Sequence, residues 1–132
     1  MPRECASLIL VVEDDKATRT LVSRAIQDEP GWSCLTCGSS GEALQVVNAG
    51  RSAVWVIDYG LPEMTGLELI HVLRTQPGGQ DAFAIMISAL SRDPLILASV
   101  RDGWVDRFLP KPFELDELVA VMREGVSARR AH

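Results

Sequence analysis

The segment VWVIDYGLPEMTG, residues 54–66, opens as a buried strand and stops on a carboxylate. Its first four residues are apolar without alternation, the pattern of a strand covered on both faces. Asp58 ends the run, and Gly60, Pro62 and Gly66 follow closely. A buried strand aimed at an acid implies that the acid has something to meet.

Outward from this segment, strand-like runs recur at residues 8–12, 32–36, 83–87 and 107–109, with helical patterns between them. Asp15 is placed to cap a first helix with Ala17, Leu21, Ala25 and Ile26 facing inward, stopped by Pro30-Gly31. Ser39 and Glu42 have capping-box spacing ahead of Ala43, Leu44, Val46 and Val47, and Gly50 is a natural stop. A third helix is predicted from about Gly66 to Arg74, with Leu67, Ile70 and Leu73 inward, broken by Pro77-Gly78-Gly79. Asp93-Pro94 is a cap followed by a first-turn proline, and opens a fourth. The fifth carries Leu115, Leu118, Val119, Met122 and Val126 at helical spacing, with Glu114, Asp116 and Glu117 at the positive end of its dipole. Five strands alternating with five helices predict an α/β fold with a parallel sheet covered on both faces. In such sheets ligands bind beyond the carboxyl ends of the strands, near the switch in strand order.

The 132 residues fit one domain, expected to have its core over about residues 6–126 and a tail over 127–132. The net charge of −5, with Arg129-Arg130 as the one basic pair, disfavours direct nucleic-acid binding, which needs clustered Lys and Arg. LILVV at 8–12 is too short for a signal segment, and no run approaches the roughly 20 apolar residues of a membrane helix. A cytoplasmic protein is expected. Cys34 and Cys37 fall in a predicted strand, where residues three apart face opposite sides, so they read as small apolar residues rather than a metal or redox pair. Neither G-x-G-x-x-G nor G-x-x-x-x-G-K-[ST] occurs, which disfavours Rossmann and P-loop nucleotide binding.

At the strand ends stand Glu13, Asp14 and Asp15, then Asp58, Ser88 and Lys111. Crowded carboxylates repel and rise in pKa unless a cation intervenes. Mg²⁺ suits such a place, since it is held by one or two carboxylates, waters and a phosphate oxygen. Gly60 would let backbone approach the ion, while Lys111 and Ser88 would meet an anionic group beyond it. Asp15 is left as the helix cap.

The motifs VVEDD at 11–15, VIDYGLPEMTG at 56–66, IMISAL at 85–90 and FLPKPF at 108–113 together resemble the receiver domain of two-component response regulators. The resemblance runs over nearly the whole chain and implies the flavodoxin-like fold with strand order 2-1-3-4-5. It further implies that Asp58 is the phosphoacceptor, receiving a phosphoryl group from the phosphohistidine of a sensor kinase or phosphotransfer protein. Glu13, Asp14 and Asp58, with the Gly60 carbonyl, are the implied Mg²⁺ ligands. Lys111 would neutralise a phosphoryl oxygen and Ser88 would hydrogen-bond another. Phe108 occupies the place of the switch aromatic, and Lys111-Pro112 looks like the family's cis peptide. Such a domain is a switch that catalyses its own phosphorylation and dephosphorylation rather than a turnover enzyme. Its partners would be an effector, or a second copy as a homodimer, bound through the fourth helix, fifth strand and fifth helix. Two alternatives stand beside it: an interaction module that works without phosphorylation, and the receiver part of a longer DNA-binding regulator or hybrid kinase. A Mg²⁺-dependent phosphatase would want a general acid where Gly60 stands.

Leu95, Ile96, Leu97, Ala98 and Val100 spread apolar character around more of the fourth helix than one buried stripe needs, which suggests a docking face shared with Trp104. DGWVDRF departs from the usual ending of that helix: either Gly103 caps it one position early or Trp104 stands in place of a glycine. Val121 and Arg107 replace the Arg and the acid of charge-paired dimers. Tyr59 is bulkier than the family's usual aliphatic. His71 is expected on an open or half-buried helix face, and Trp32 and Trp55 in the core or at its rim.

Overall fold

A computed structural model describes residues 7–46, 51–89 and 93–130. Strand β1 (Ser7–Val12) leads through α1 (Lys16–Gln27) to β2 (Trp32–Cys37), and α2 (Ser40–Gln45) precedes β3 (Val54–Asp58). Then come α3 (Gly66–Arg74), β4 (Phe83–Ser88), α4 (Pro94–Arg101), β5 (Arg107–Pro110) and α5 (Leu115–Arg130). The strands form one sheet in the order β2-β1-β3-β4-β5, with every neighbouring pair parallel. This is the fold and strand order that the sequence led us to expect.

The unbroken apolar runs feed two separate cores. Leu10, Val12, Trp55 and Ile57 point into one layer with Leu69, Ile70, Leu73 and Ile96. Ile9, Val11, Val54 and Val56 point into the other, against Val22 and Ile26 of α1 and Leu118, Val119 and Met122 of α5. Cys37 belongs to the first layer and Cys34 packs against the second, so the pair straddles the sheet as strand periodicity requires. Burial pushes both thiols up, Cys37 to about 11, the reverse of what metal or redox chemistry needs.

Several helix details differ from expectation. In α1 the buried residues are Val22 and Ile26, with Ala25 half-buried, whereas Ala17 and Leu21 are exposed. One residue is about 100° of helix rotation, so Leu21 falls off a stripe centred on Val22, Ala25 and Ile26. In α3 the fully buried residues include Leu69, and Leu67 is only half-buried. Ser39 caps α2 by accepting from the Glu42 N–H at 3.1 Å, but the Glu42 carboxylate accepts from Gly38 N–H instead of closing a box with Ser39. The reciprocal box is at α3, between Thr65 and Glu68. α2 ends at Gln45, and the expected Val47 and Gly50 lie outside the described residues. α5 continues through residues 127–130, which were expected to form a tail.

Asp93 caps α4 by accepting from Leu95 N–H at 2.8 Å, with Pro94 in the first turn. Gly103, at φ +88°, ends it, so the glycine does come one position early and Trp104 lies beyond the cap. Arg74 is buried at the other end of the sheet from Asp58. Its guanidinium donates to the carbonyls of Gly79, Ala82 and Trp104 at 3.0, 2.7 and 2.9 Å and lies 4.8 Å from the centre of the buried Trp55 ring.

Candidate functional site

The parallel register brings the carboxyl ends of β1, β3, β4 and β5 to one rim, with Val12 opposite Ile57, Asp58 opposite Ile87 and Ser88 opposite Pro110. Asp58 is therefore the last residue of its strand and is buried, at 6% exposure. Gly66 explains the glycine that closes the opening motif. A Cβ there would sit 2.3 Å from the Asp58 carbonyl oxygen, so only glycine lets α3 begin this close to the strand end. The Gly66 N–H donates to Tyr59 O at 2.8 Å, and Tyr59, half-buried, packs against the same apolar layer as Met64 and Phe108.

Glu13 is almost wholly buried, and its N–H donates to Cys37 O at 3.0 Å. Glu13 Oε2 accepts from Asp15 N–H at 3.1 Å. Oε1 lies 3.3 Å from Lys111 Nζ, close enough to pair but not aligned to accept, and it is buried with no hydrogen-bond partner. Lys111 Nζ donates to Asp58 Oδ2 at 3.2 Å. Asp14 is exposed at the same rim, and one oxygen from each of Glu13, Asp14 and Asp58 lies within 4.8 Å of the other two. Asp15 turns away and caps α1, accepting from Thr18 N–H at 2.9 Å and Thr18 Oγ1 at 2.6 Å, bonds that hold its carboxyl below the usual range.

These contacts shift the titration of Glu13 and Lys111 in opposite senses of charge. Burial first, then the neighbouring Asp58 charge, pushes Glu13 up to about 7 against the pull of its Asp15 bond and of Lys111. Burial alone would lower Lys111, but Asp58 and Glu13 outweigh it and hold the ammonium above its ordinary value. One ammonium thus touches two of the rim's three grouped carboxylates, those of Glu13 and Asp58. The buried Glu13 Oε1, left with an ion pair to Lys111 but no hydrogen bond, and the spacing of the three acids fit a hard divalent cation, which prefers carboxylate oxygen.

Gly60 is exposed, its N–H donates to Asp58 Oδ1 at 3.3 Å, and an added Cβ would meet nothing within 4 Å. No packing reason therefore requires glycine there. Ser88 is buried at the end of β4, and its carbonyl accepts from Lys111 N–H at 2.9 Å. The Lys111-Pro112 peptide is cis. His71 is exposed and stacks on Trp104, with ring centroids 4.0 Å apart. Val121 is a core residue and Arg107 pairs with Glu124 within the chain, so neither offers the charge of a paired dimer interface.

Two residues that sequence reasoning missed brace the rim. Glu63 Oε1 accepts from Gly41 N–H at 3.2 Å and Ser40 Oγ at 3.4 Å, tying the loop after β3 to α2. Arg19 donates from Nη1 to the carbonyl of Glu13 at 2.9 Å and that of Asp14 at 3.4 Å. Their acceptors and donors are largely backbone groups, which leave no mark in a sequence.

Residues 9–123 match the model of the response regulator receiver domain. The response regulator MprA of Mycobacterium avium is 35% identical over 87% of this chain and 49% of its own length. The chain spans about half the length of most of the curated regulators it matches. Among solved structures, the chemotaxis response regulator CheY4 of Vibrio cholerae is 25% identical, with TM-score 0.79, covering 91% of this chain and 98% of its own. TrrA of Thermotoga maritima, solved in complex with Mg²⁺ and BeF, is 28% identical, with TM-score 0.75, covering 90% of this chain and 98% of its own. Among the described residues, no helix is long and apolar enough to cross a membrane.

Proposed function

This chain belongs to the response regulator receiver domain family, and we propose that it works as a phosphoacceptor switch with Asp58 as the accepting group. The single observation that carries the proposal is the buried Asp58 carboxylate, paired with Lys111 at 3.2 Å and grouped with Glu13 and Asp14 within 4.8 Å. Phosphoryl transfer passes through a loose, charge-spread transition state, so a site needs alignment and positive charge more than covalent machinery. An Asp58 oxygen forms the bond to phosphorus as the bond from phosphorus to the donor histidine nitrogen breaks. The histidine nitrogen leaves with the electron pair of that bond.

Glu13, Asp14 and Asp58, with the Gly60 carbonyl, are the residues we assign to holding Mg²⁺. When bound, the ion supplies charge neutralisation for the incoming phosphoryl oxygens. Lys111 moves its ammonium from the carboxylate to a phosphoryl oxygen as Asp58 loses its own charge to the new bond. Ser88 offers a hydroxyl to another oxygen, and Phe108 responds behind it. The donor is a histidine kinase or histidine phosphotransfer protein. A largely apolar groove that includes Lys111, lined by the exposed Leu21 with Val22, Pro112, Phe113 and Leu115, is the foothold we assign to it.

The output face is proposed to be α4, β5 and α5. Leu95 and Leu97 are 62% and 52% exposed while Ile96 between them is buried, so α4 carries apolar side chains its own packing does not use. An effector or a second copy of the chain is the proposed partner there, in the cytoplasm. Beryllofluoride, a phosphoryl mimic, tests the switch: in the presence of Mg²⁺ it should change the tryptophan fluorescence of the wild type and leave Asp58→Asn unaffected. The same response in both proteins would contradict the assignment.

A further inference from the structure

Two cations face the acidic rim, and they do different work. Lys111 touches the carboxylates of Asp58 and Glu13. Arg19, from the second turn of α1, touches neither carboxylate of the acidic pair. Its Nη1 reaches the main-chain oxygens of Glu13 and Asp14. We infer that Arg19 is a positioning residue for the metal site, fixing the two peptide groups from which the Glu13 and Asp14 side chains project. This rests on the receiver reading of the same rim.

Peptide planes are rigid, so holding the carbonyls of Glu13 and Asp14 fixes the two peptide groups that flank Asp14 and with them the direction of its Cα–Cβ bond. Asp14 needs this more than Glu13 does. Glu13 is buried and also held by its N–H on Cys37 O and by Asp15 N–H, whereas Asp14 is exposed. The guanidinium also has a seat prepared for it. A Cβ at Gly38 would come within 3.0 Å of Arg19 Nη1, so the glycine at the end of β2 leaves the space that the charged group fills. Because Arg19 binds carbonyls, it brings positive charge to the acids without occupying the oxygens a cation would use. Outer-shell partners of metal ligands commonly change affinity by roughly 10- to 100-fold when removed. Here the lower end is expected, because the contact is to backbone and the residue is half-buried.

The test is a calorimetric Mg²⁺ titration of the full chain as wild type, Arg19→Met, Arg19→Lys, Asp14→Asn and the double variant Arg19→Met/Asp14→Asn. Thermal midpoints are measured in chelator alongside. Arg19→Met should weaken Mg²⁺ by about 10-fold, and Arg19→Lys should recover part of the loss. In the double variant the Arg19 change should cost less than it does alone, because it acts through Asp14. A merely structural Arg19 would lower the chelator midpoint and leave the two losses additive, which overturns the inference. So does a wild-type affinity in Arg19→Met; should that variant not fold, the same affinity in Arg19→Lys together with additivity in its own double with Asp14→Asn decides against it. If the wild type shows no saturable Mg²⁺ binding, the receiver reading fails and the inference falls with it.

Discussion

Lys111 Nζ donates to Asp58 Oδ2 at 3.2 Å, joining the end of β5 to the end of β3 across the intervening strand β4. The bond relieves a crowded rim, because the same ammonium lies 3.3 Å from the buried Glu13 carboxylate. It is also the contact that a phosphoryl group on Asp58 would take over.

Replacing Lys111 with Met should therefore act on stability and signalling together. Removing one partner of a buried pair can cost several kcal/mol, but Lys111 is about a third exposed, so a loss of roughly 1–2 kcal/mol is expected in chelator. Added Mg²⁺ should recover part of it by binding the folded state. Urea unfolding with and without Mg²⁺ measures both. An unchanged midpoint in chelator would show that the lysine contributes nothing to the rim.

Glu13 gives the metal-free protein a defined pH dependence. Its folded pKa, about 7, lies above the ordinary 4.5. The stability it contributes is thus fully present below 4.5 and lost as pH rises through about 7. Glu13→Gln keeps the shape and removes the titration. Between about pH 5 and about pH 8, its thermal midpoint in chelator should rise relative to the wild type. Mg²⁺ binding to the wild type should weaken over the same interval as pH falls, since the proton competes with the ion. A constant midpoint difference would contradict the account of Glu13.

Much of this was legible in the sequence, for particular reasons. Parallel strands end at one rim, so a list of residues following each strand was already a list of neighbours: Glu13, Asp14, Asp58, Ser88 and Lys111. The sheet itself could be read because runs such as VWVI serve two cores at once. The rotation of α1 could not be, since Leu21 and Val22 are both apolar and adjacent, and only contact with β1 and α5 decides which is inside. Arg74 and Arg19 were invisible for another reason. Apart from the Asp106 carboxylate, 3.4 Å from Arg74, their partners are carbonyls of Gly79, Ala82 and Trp104 in one case and of Glu13 and Asp14 in the other, which any residue type supplies. Thr65-x-x-Glu68 has the same spacing as Ser39-x-x-Glu42, and only the structure shows that the reciprocal box closes at Thr65 and not at Ser39.

Gly66→Ala should be costly although it adds one methyl group in a helix. The new Cβ would meet Asp58 O at 2.3 Å and Ile57 Cγ2 at 3.0 Å, so α3 or the strand end must move. Such overpacking costs typically about 1–3 kcal/mol. Because the displaced carbonyl belongs to Asp58 itself, phosphorylation should fall more than stability alone explains. Chemical denaturation combined with the initial rate of acetyl phosphate labelling separates the two. Gly60→Ala, with open space around its Cβ, should leave stability within about 0.5 kcal/mol.

The exposed pair on α4 should behave in the opposite way. Leu95→Ala/Leu97→Ala is expected to change unfolding free energy by no more than about 0.5 kcal/mol per site, because both side chains are open to solvent. The beryllofluoride-bound protein should lose its self-association or its effector affinity. Sedimentation equilibrium with and without beryllofluoride, alongside titration with an effector, measures this. Unaltered constants in every assay would remove α4 from the output face.

The most direct measurement is the intact mass of the protein after incubation with acetyl phosphate and Mg²⁺, followed by peptide mapping. One added phosphoryl group is predicted, located on the peptide containing Asp58, absent in Asp58→Asn and suppressed by chelator. A wild type that stays unlabelled under these conditions, or a label that persists in Asp58→Asn, would contradict the claim that this rim accepts a phosphoryl group at Asp58.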